Sequence, residues 1–448
     1  MRRILPNSIF ILAQNSQKPI YAVGGIVRDF LLGATSFNQN LDFDICAPMS
    51  ADEFILLAQS LDFTVKSVFK NTQTVKLQDT QGNNFEFSSF RSDKYIRGVH
   101  TPIETVFTTD ILLDAKRRDF TANAVYYHLQ AEQFVDPLQG KKAILEKRLS
   151  TVDNANKVFG EDGLRLLRLA RFAGQLGFSP DQECLLGAKN NAHLIEDIAP
   201  ERIYTELCAM LQADLRFGVQ DGHYHALCVL DQTRVLDYLF PALALGRGMQ
   251  QRPDFHKYDV LEHSLRAVLY APPSVRLAAL FHDIAKPFCF LRDGNSYAHP
   301  QEGARIARES LQRLKAPKKT VEEVCALVET HMFDFNCQTK ENKLKRFFVE
   351  HSALLPSLLL LKQADFSACT DDLSPAPTCV KWENLLQKMQ REGAPLTLRD
   401  LNISGKDLLA LDIPKSQIAS VLHRLLLHAA CNPKDNQKER LLLLATRI

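Results

Sequence analysis

The stretch Ile20–Ile45, I-YAVGGIVRDFLLGATSFNQNLDFDI, decides how the chain is read. An apolar run from Ile20 to Val23 ends in Gly24-Gly25, and a short amphipathic segment opens near Ile26. After a polar turn comes Leu41-Asp42-Phe43-Asp44-Ile45, where apolar and acidic residues alternate with the period of a half-buried strand. Residues two apart leave the same face of a strand, so Asp42 and Asp44 are expected to present their carboxylates together. Two hard carboxylates at one point suit Mg²⁺, which binds oxygen and keeps room for substrate phosphates. The paired glycines put no Cβ between backbone and phosphate, and the helix start behind them offers free N–H groups. The expectation is a nucleotide and its metal between the Gly-Gly turn and the Asp-x-Asp strand. Singly, the glycine pair lacks the third glycine of a dinucleotide fingerprint, and an Asp-x-Asp in a loop is often only a solvated turn. The combination, in this order, carries the reading.

The 448 residues are 46% apolar and 24% charged, an ordinary balance with room for about three domains. No run approaches the roughly 18 apolar residues of a membrane span; Leu354–Leu361 contains Pro356 and is bounded by His351 and Lys362. The opening MRRILPNSIFILAQN is broken by Pro6, Asn7 and Ser8 and lacks a small-residue cleavage site, so a cytoplasmic protein is predicted. Ten cysteines without a CxxC pair indicate neither a zinc ribbon nor a disulfide framework. A net charge of +2 does not announce a nucleic-acid binder, which leaves local clusters such as Lys116-Arg117-Arg118 and Arg165/Arg168/Arg171.

Gly-Gly-x-Val-Arg-Asp-x-Leu-Leu-Gly followed by Asp-x-Asp resembles the head of the polymerase-β-like nucleotidyltransferases of the tRNA CCA-adding and bacterial poly(A) polymerase family. The resemblance implies an α+β chain: a head with a small mixed sheet and helices over 1–150, then an all-α remainder. That remainder would divide into a nucleotide-selecting and RNA-binding neck over 151–245, an HD-type body over 246–380 and a tail over 381–448. Phe63–Val68, Thr74–Leu77 and Asn84–Phe90 read as strands, with Gly82-Asn83 as a turn. The polar run from Asp93 to about Thr105 reads as a mobile loop near the site. Lys116–Tyr127, KRRDFTANAVYY, reads as a polar cluster opening a helix, which by itself could be a cap with solvated charges. In the family this block holds nucleotide sugar and triphosphate, which implies that role for Arg118, Asp119 and Asn123, beside Gly24, Gly25 and Arg28 on the triphosphate. Guanidinium forks suit phosphate oxygens, and Asp or Asn can hydrogen-bond a ribose hydroxyl. Glu86, on a predicted strand, is a candidate third carboxylate, or equally a surface residue.

Phe134–Gly140, FVDPLQG, resembles the turn that closes the family's head, with Gln139 in place of its first glycine and Ala143 where an acidic residue is common. From Phe159 the period becomes helical, and Asp162, Arg165, Arg168 and Arg171-Phe172 share one stripe, which spacing alone would make a solvated face. The stripe resembles the family's Glu-Asp-x-x-Arg element, whose Asp and Arg edges select the incoming C or A. Gly163 replaces a more usual Ala or Pro and is expected to loosen the first turn by up to about 1 kcal/mol. Arg202 and Glu206, in a further matching element, are expected to brace the neck.

Beyond a linker near Gly246–Pro253 lie His263, His282-Asp283, His299, His331 and Asp365, in the order of the HD metal-dependent phosphohydrolases, which this segment resembles. Imidazole and carboxylate together suit Mn, Fe, Co, Ni or Zn, and His299 and His331 sit where two-metal members carry further ligands. Leu401–Leu409 resembles the tail of HD-containing members, a tRNA-body contact, and reads equally well as a packing helix with a Ser N-cap.

The predicted activity is CCA addition to tRNA 3′ ends from CTP and ATP, with Mg²⁺ on Asp42 and Asp44 in the head and an accessory HD phosphohydrolase. Three alternatives stay within the family: CC-only addition, A-only addition and poly(A) synthesis. Two lie outside it: a protein whose main activity is the HD phosphohydrolase, and a non-catalytic RNA-binding protein.

Overall fold

Of the eleven strands among the described residues, nine organise the first part of the chain: β1 (Tyr21–Val23), β2 (Phe43–Ala47), β3 (Thr64–Phe69), β4 (Thr74–Gln78), β5 (Asn84–Ser89), β6 (Arg91–Lys94), β7 (Glu104–Phe107), β8 (Tyr126–His128) and β9 (Gln133–Val135); the other two, Arg148–Leu149 and Ser179–Pro180, pair with each other. The structure, a computed structural model, describes residues 1–33, 43–94 and 104–447. Seven strands form one sheet in the order β3-β4-β5-β2-β1-β8-β9, in which β2 and β5 run parallel and the other neighbours antiparallel. The central strand, β2, is thus the one that carries Asp44. Its alternation is the expected one: Phe43 and Ile45 are buried and Asp44 between them is exposed. Phe85 and Phe87 do the same for Glu86 on β5, and Phe87 stacks on Phe54 at 3.7 Å. These aromatic layers fix the register, because a slip of one residue would bury the carboxylates.

The three strands predicted in this region appear within a residue or two of their expected bounds. Two other expectations change. The run from Asp93 to Thr105 is not simply an irregular loop, since its ends pair as the β6–β7 hairpin with Asp93 opposite Thr105; residues 95–103, and Asp42, lie outside the described residues. The block after Lys116 does not open a helix. Lys116 ends helix α2 (Ile111–Lys116), which follows α1 (Gly25–Leu31), and the chain then makes a short turn at Thr121–Asn123 and enters β8. Val125, Tyr126 and Tyr127 are buried strand formers, and their packing outweighs helical spacing.

From Ala155 the chain is almost wholly helical, with α3 (Leu164–Leu176), α4 (Pro200–Leu211) and α5 (Gly222–Gln232). Gly163 is a necessity here and not a weakness, because a Cβ on it would fall 2.5 Å from the Leu194 carbonyl oxygen. The crossing of α3 and α5 is tighter still: a Cβ on Gly174 would sit 2.3 Å from the Gly222 oxygen, and one on Gly222 2.4 Å from the Gly174 oxygen. Gly174→Ala is therefore expected to cost about 1–3 kcal/mol, seen as a lowered denaturation midpoint, although alanine is the better helix former. An unchanged or raised midpoint would refute that packing.

The closing turn of the sheet survives its substitutions. Asp136 accepts from the Gly140 and Lys141 N–H groups at 2.7 and 3.0 Å, while Gln139 takes a left-handed φ of 56°.

The chain divides into two units, Met1–Pro241 and Ala242–Ile448. Every element in the described residues of the second is helical, among them α6 (Val260–Tyr270), α7 (Arg276–Phe281), α8 (His299–Arg313), α9 (Lys318–Thr330) and α10 (Leu355–Thr370). A small mixed sheet with helices, followed by an almost wholly helical remainder, is the α+β arrangement expected from the sequence.

Candidate active site

At the start of the central strand, Asp44 meets the Gly24-Gly25 turn. Gly24 has a φ of 78°, and a Cβ there would stand 3.0 Å from Asp44 Oδ2, so the turn can approach the carboxylate only as glycine. Asp44 and Glu86 are direct register partners across the parallel β2–β5 pair. Glu86 also pairs with Lys76 on β4 at 3.1 Å. These groups open into a cleft of about 890 Å³ that is lined by nine arginines as well as Lys76, against five carboxylates. A lining so rich in guanidinium fits a polyanion better than an apolar ligand.

The cations are not equivalent. Arg28, almost wholly buried, donates to Asp29 at 2.5 and 2.8 Å and to the Asn123 side chain at 2.6 Å. Asn123 in turn donates to Asp119 at 2.9 Å, and Arg168 closes the chain on the other Asp119 oxygen at 2.6 Å. Burial would raise the Asp119 pKa, yet Arg168 and Asn123 hold it well below the usual carboxylate range. A second knot lies beside it: Asp114, fully buried, receives Arg117 at 2.7 Å, Arg118 at 3.1 Å and the Tyr126 hydroxyl at 2.7 Å. Despite the push of burial, the two arginines bring Asp114 down to about 2. Both networks keep guanidinium groups in fixed positions before any phosphate arrives.

Asp162 caps the start of α3 through the Leu164 N–H at 2.9 Å, and it lines the cleft with Arg165, Arg168 and Arg171. Arg165 is bound to the carbonyls of Val158 at 2.9 Å and Arg117 at 2.6 Å, and Arg171 to Glu206 at 2.6 Å. Both hold α3 against its surroundings. Arg168 keeps a third of its side chain in solvent, and Arg202 and Arg216 are also open.

The histidines of the second unit also come together. His263 Nε2, His282 Nε2, Asp283 Oδ2 and Asp365 Oδ1 converge, with His263 3.1 Å from His282, 3.3 Å from Asp283 and 3.0 Å from Asp365. The other Asp283 oxygen faces His299 at 3.3 Å and His331 at 3.6 Å. Asp283 thus stands between two donor sets. Its two oxygens are buried without a hydrogen bond among the described residues, although Lys286 Nζ lies 2.6 Å from Oδ2 as an ion-pair partner. The Nδ1 atoms of His282, His299 and His331 face the carbonyls of Ala279, Ser296 and Val328 at 2.6–2.7 Å, which turns each Nε2 toward the centre. Burial also drives His331 down to about 4. Mixed nitrogen and oxygen donors around one buried carboxylate fit a divalent transition metal.

The Poly A polymerase head domain family matches residues 20–150, the "Probable RNA and SrmB- binding site of polymerase A" 177–245, and the HD domain 260–365. The CC-adding tRNA nucleotidyltransferase of Thermus thermophilus is 31% identical over 88% of this chain and 85% of its own length. The chain belongs to the tRNA nucleotidyltransferase/poly(A) polymerase family. The A-adding tRNA nucleotidyltransferase of Deinococcus radiodurans is also 31% identical, over 66% of the chain and 70% of its own. The fold matches the structure of a Bacillus stearothermophilus CCA-adding enzyme in complex with CTP, with a TM-score of 0.65 and 23% identity over 98% of this chain and 96% of that one. The activity class is nucleotidyl transfer, and both this family and the HD family generally use divalent metals.

In this nucleotidyltransferase the structure brings Gly24, Gly25, Arg28, Asp44, Glu86, Arg118, Asp119, Asn123, Asp162, Arg165, Arg168 and Arg171 to one cleft. It brings His263, His282, Asp283, His299, His331 and Asp365 to the other centre. Sequence reasoning missed Asp114, whose spacing three and four residues before Arg117 and Arg118 on α2 was a legible signal. It also missed Arg216, which joins Asp29 at 3.2 Å across 187 residues and leaves no local trace. No helix among the described residues is long and apolar enough to cross a membrane.

Proposed function

We propose that this nucleotidyltransferase completes tRNA 3′ ends by adding C, C and A from CTP and ATP without a nucleic-acid template. The single observation that carries the reading is the meeting of the Gly24 turn, Asp44 and the Asp119–Arg168 pair in one arginine-lined cleft. Asp44 and Asp42 are the carboxylates to hold Mg²⁺, and their hard oxygens suit it. When bound, that ion polarises the α-phosphate and eases deprotonation of the RNA 3′-hydroxyl. Glu86, next to Asp44 in the register, serves the attacking hydroxyl. Arg118 and Arg168 bind triphosphate oxygens, while Asp119 and Asn123 receive the sugar hydroxyls. Arg28 and Arg165, whose side chains are only 2% and 5% exposed, position those groups rather than reach the substrate, and Arg171 lines the cleft beside them. Asp162 accepts from an exocyclic amine, which C and A both carry and U lacks. The 1–150, 151–245, 246–380 and 381–448 divisions fit these roles as head, neck, HD body and tail. Ten free cysteines fit a reducing cytoplasm.

A second reading, addition of CC alone or A alone, is favoured by the names of the two relatives above. Three tRNAs, ending before CCA, after CC, or complete, separate the readings when each is incubated with CTP, ATP or both. Completion predicts two additions to the first from CTP alone, one to the second from ATP alone, and none to the third. Arrest at CC with both nucleotides present, extension of the CC acceptor only, or long A tracts would each replace it with another family member's activity.

We propose in addition that the histidine centre is a metal-dependent phosphohydrolase. Its support is the carboxylate of Asp283, shared by two donor sets. Metals bound there supply an activated water and a clamp on the phosphoester oxygens.

A further inference from the structure

One ring nitrogen each from His256 and His263, together with the thiol of Cys369, lies within 4.8 Å of the others. None of these atoms is needed by the phosphohydrolase reading in this combination. His263 turns its Nε2 to His282 and Asp365, so Nδ1 is the nitrogen it has left. In a histidine that ligates through Nε2, the other nitrogen normally donates to a backbone or carboxylate oxygen. His282, His299 and His331 obey this, each facing the carbonyl three residues before it. His263 does not: its Nδ1 is buried and has no hydrogen-bond partner among the described residues. His256 Nδ1 is buried and unpartnered in the same way, and the two rings stand edge to face with centroids 4.9 Å apart. A buried, unpartnered nitrogen on each of two histidines that stand beside a sulfur is costly unless something fills the place of the missing partners.

We propose that His256, His263 and Cys369 form a further metal site, an N₂S set for a thiophilic divalent ion such as Zn²⁺ or Co²⁺. Nitrogen and thiolate donors are the ligand types such ions prefer, and three protein ligands leave a fourth position open to water. The segments that carry the ligands are pinned before an ion arrives. The Lys257 N–H, next to His256, donates to the Cys369 carbonyl at 2.8 Å. Two residues past Cys369, Asp371 accepts from Arg266 at 2.6 Å, from Tyr270 at 2.7 Å and from the Tyr258 hydroxyl. His256 and Cys369 are only partly buried, which gives the ion a way in. Binding releases the thiol proton to solvent, and the Nδ1 proton of His263 with it when Nε2 already holds a metal in the HD set. Because His263 belongs to both sets, an ion in the N₂S site also fixes the ring that the HD centre uses. The proposal goes beyond the phosphohydrolase reading and does not require that centre to turn over.

Co²⁺ titrated alone into the metal-free full chain tests it. A thiolate-to-cobalt charge-transfer band should appear, vanish in Cys369→Ser and persist in His331→Ala, which alters only the HD set. In the unsubstituted chain, Zn²⁺ should slow alkylation of Cys369 at least about tenfold, as read by peptide mass, with the other nine cysteines as internal controls. A band that survives Cys369→Ser, or equal alkylation of Cys369 with and without zinc, would overturn the site. Cobalt binding that saturates with no sulfur band would also overturn it while leaving the HD centre a metal site.

Discussion

Asp44→Asn is expected to lower the rate of nucleotide addition at least about 10³-fold while the chain stays folded, a loss of roughly 4 kcal/mol of transition-state stabilisation. The side chain is exposed between buried Phe43 and Ile45, so its replacement by the isosteric amide leaves the core packing in place, and surface changes of this kind stay within about 0.5 kcal/mol in stability. The amide keeps the shape and removes the charge that a metal and a triphosphate require on that strand. Single-turnover incorporation of labelled CMP into a tRNA lacking CCA gives the rate, and a thermal melt gives the fold. A variant within tenfold of the unsubstituted rate would remove Asp44 from the chemistry.

Asp283→Asn is expected to empty the histidine centre of metal and to abolish its phosphohydrolase activity, with nucleotide addition left within about twofold. One oxygen of Asp283 faces His263 and His282 and the other His299 and His331, so its charge serves both sets. The change also strips Lys286 of its ion-pair partner 2.6 Å away and leaves it, among the described residues, only the Gln251 side-chain oxygen at 2.9 Å, a loss of up to about 3–5 kcal/mol. A lowered melting temperature is therefore expected for the metal-free variant. His299→Ala separates the two effects, because Lys286 keeps its partner and only one donor set is broken. Metal analysis should find less metal in His299→Ala and none in Asp283→Asn. Full metal content in Asp283→Asn would contradict the shared-carboxylate arrangement.

Much of this was legible in the chain because the chemistry is local. The Gly24-Gly25 pair, the strand alternation through Asp44 and Glu86, and the His282-Asp283 dipeptide lie in short segments whose residue types have few other uses. What was not legible came from packing across long sequence distance. Lys116–Tyr127 carries a helical pattern of charges, but buried Tyr126 and Tyr127 draw it into the sheet between β1 and β9. Gly163 looks like a poor helix start until the backbone of Leu194 occupies the space of its Cβ. Arg28, Arg165 and Arg171 stand out in the sequence as cations, yet the protein groups they bind, up to 95 residues away, are not visible there. His256 and Cys369, 113 positions apart by the same measure as Tyr258 and Asp371, gave no signal that they meet.

Photo-crosslinking with an azido-ATP, followed by peptide mapping, locates the nucleotide on the chain. The label is expected on peptides from the head cleft, those around Gly24–Asp29, Arg117–Asn123 and Asp162–Phe172, with competition by unmodified ATP. Specific labelling confined to the histidine unit, with the cleft peptides unmarked, would contradict that placement.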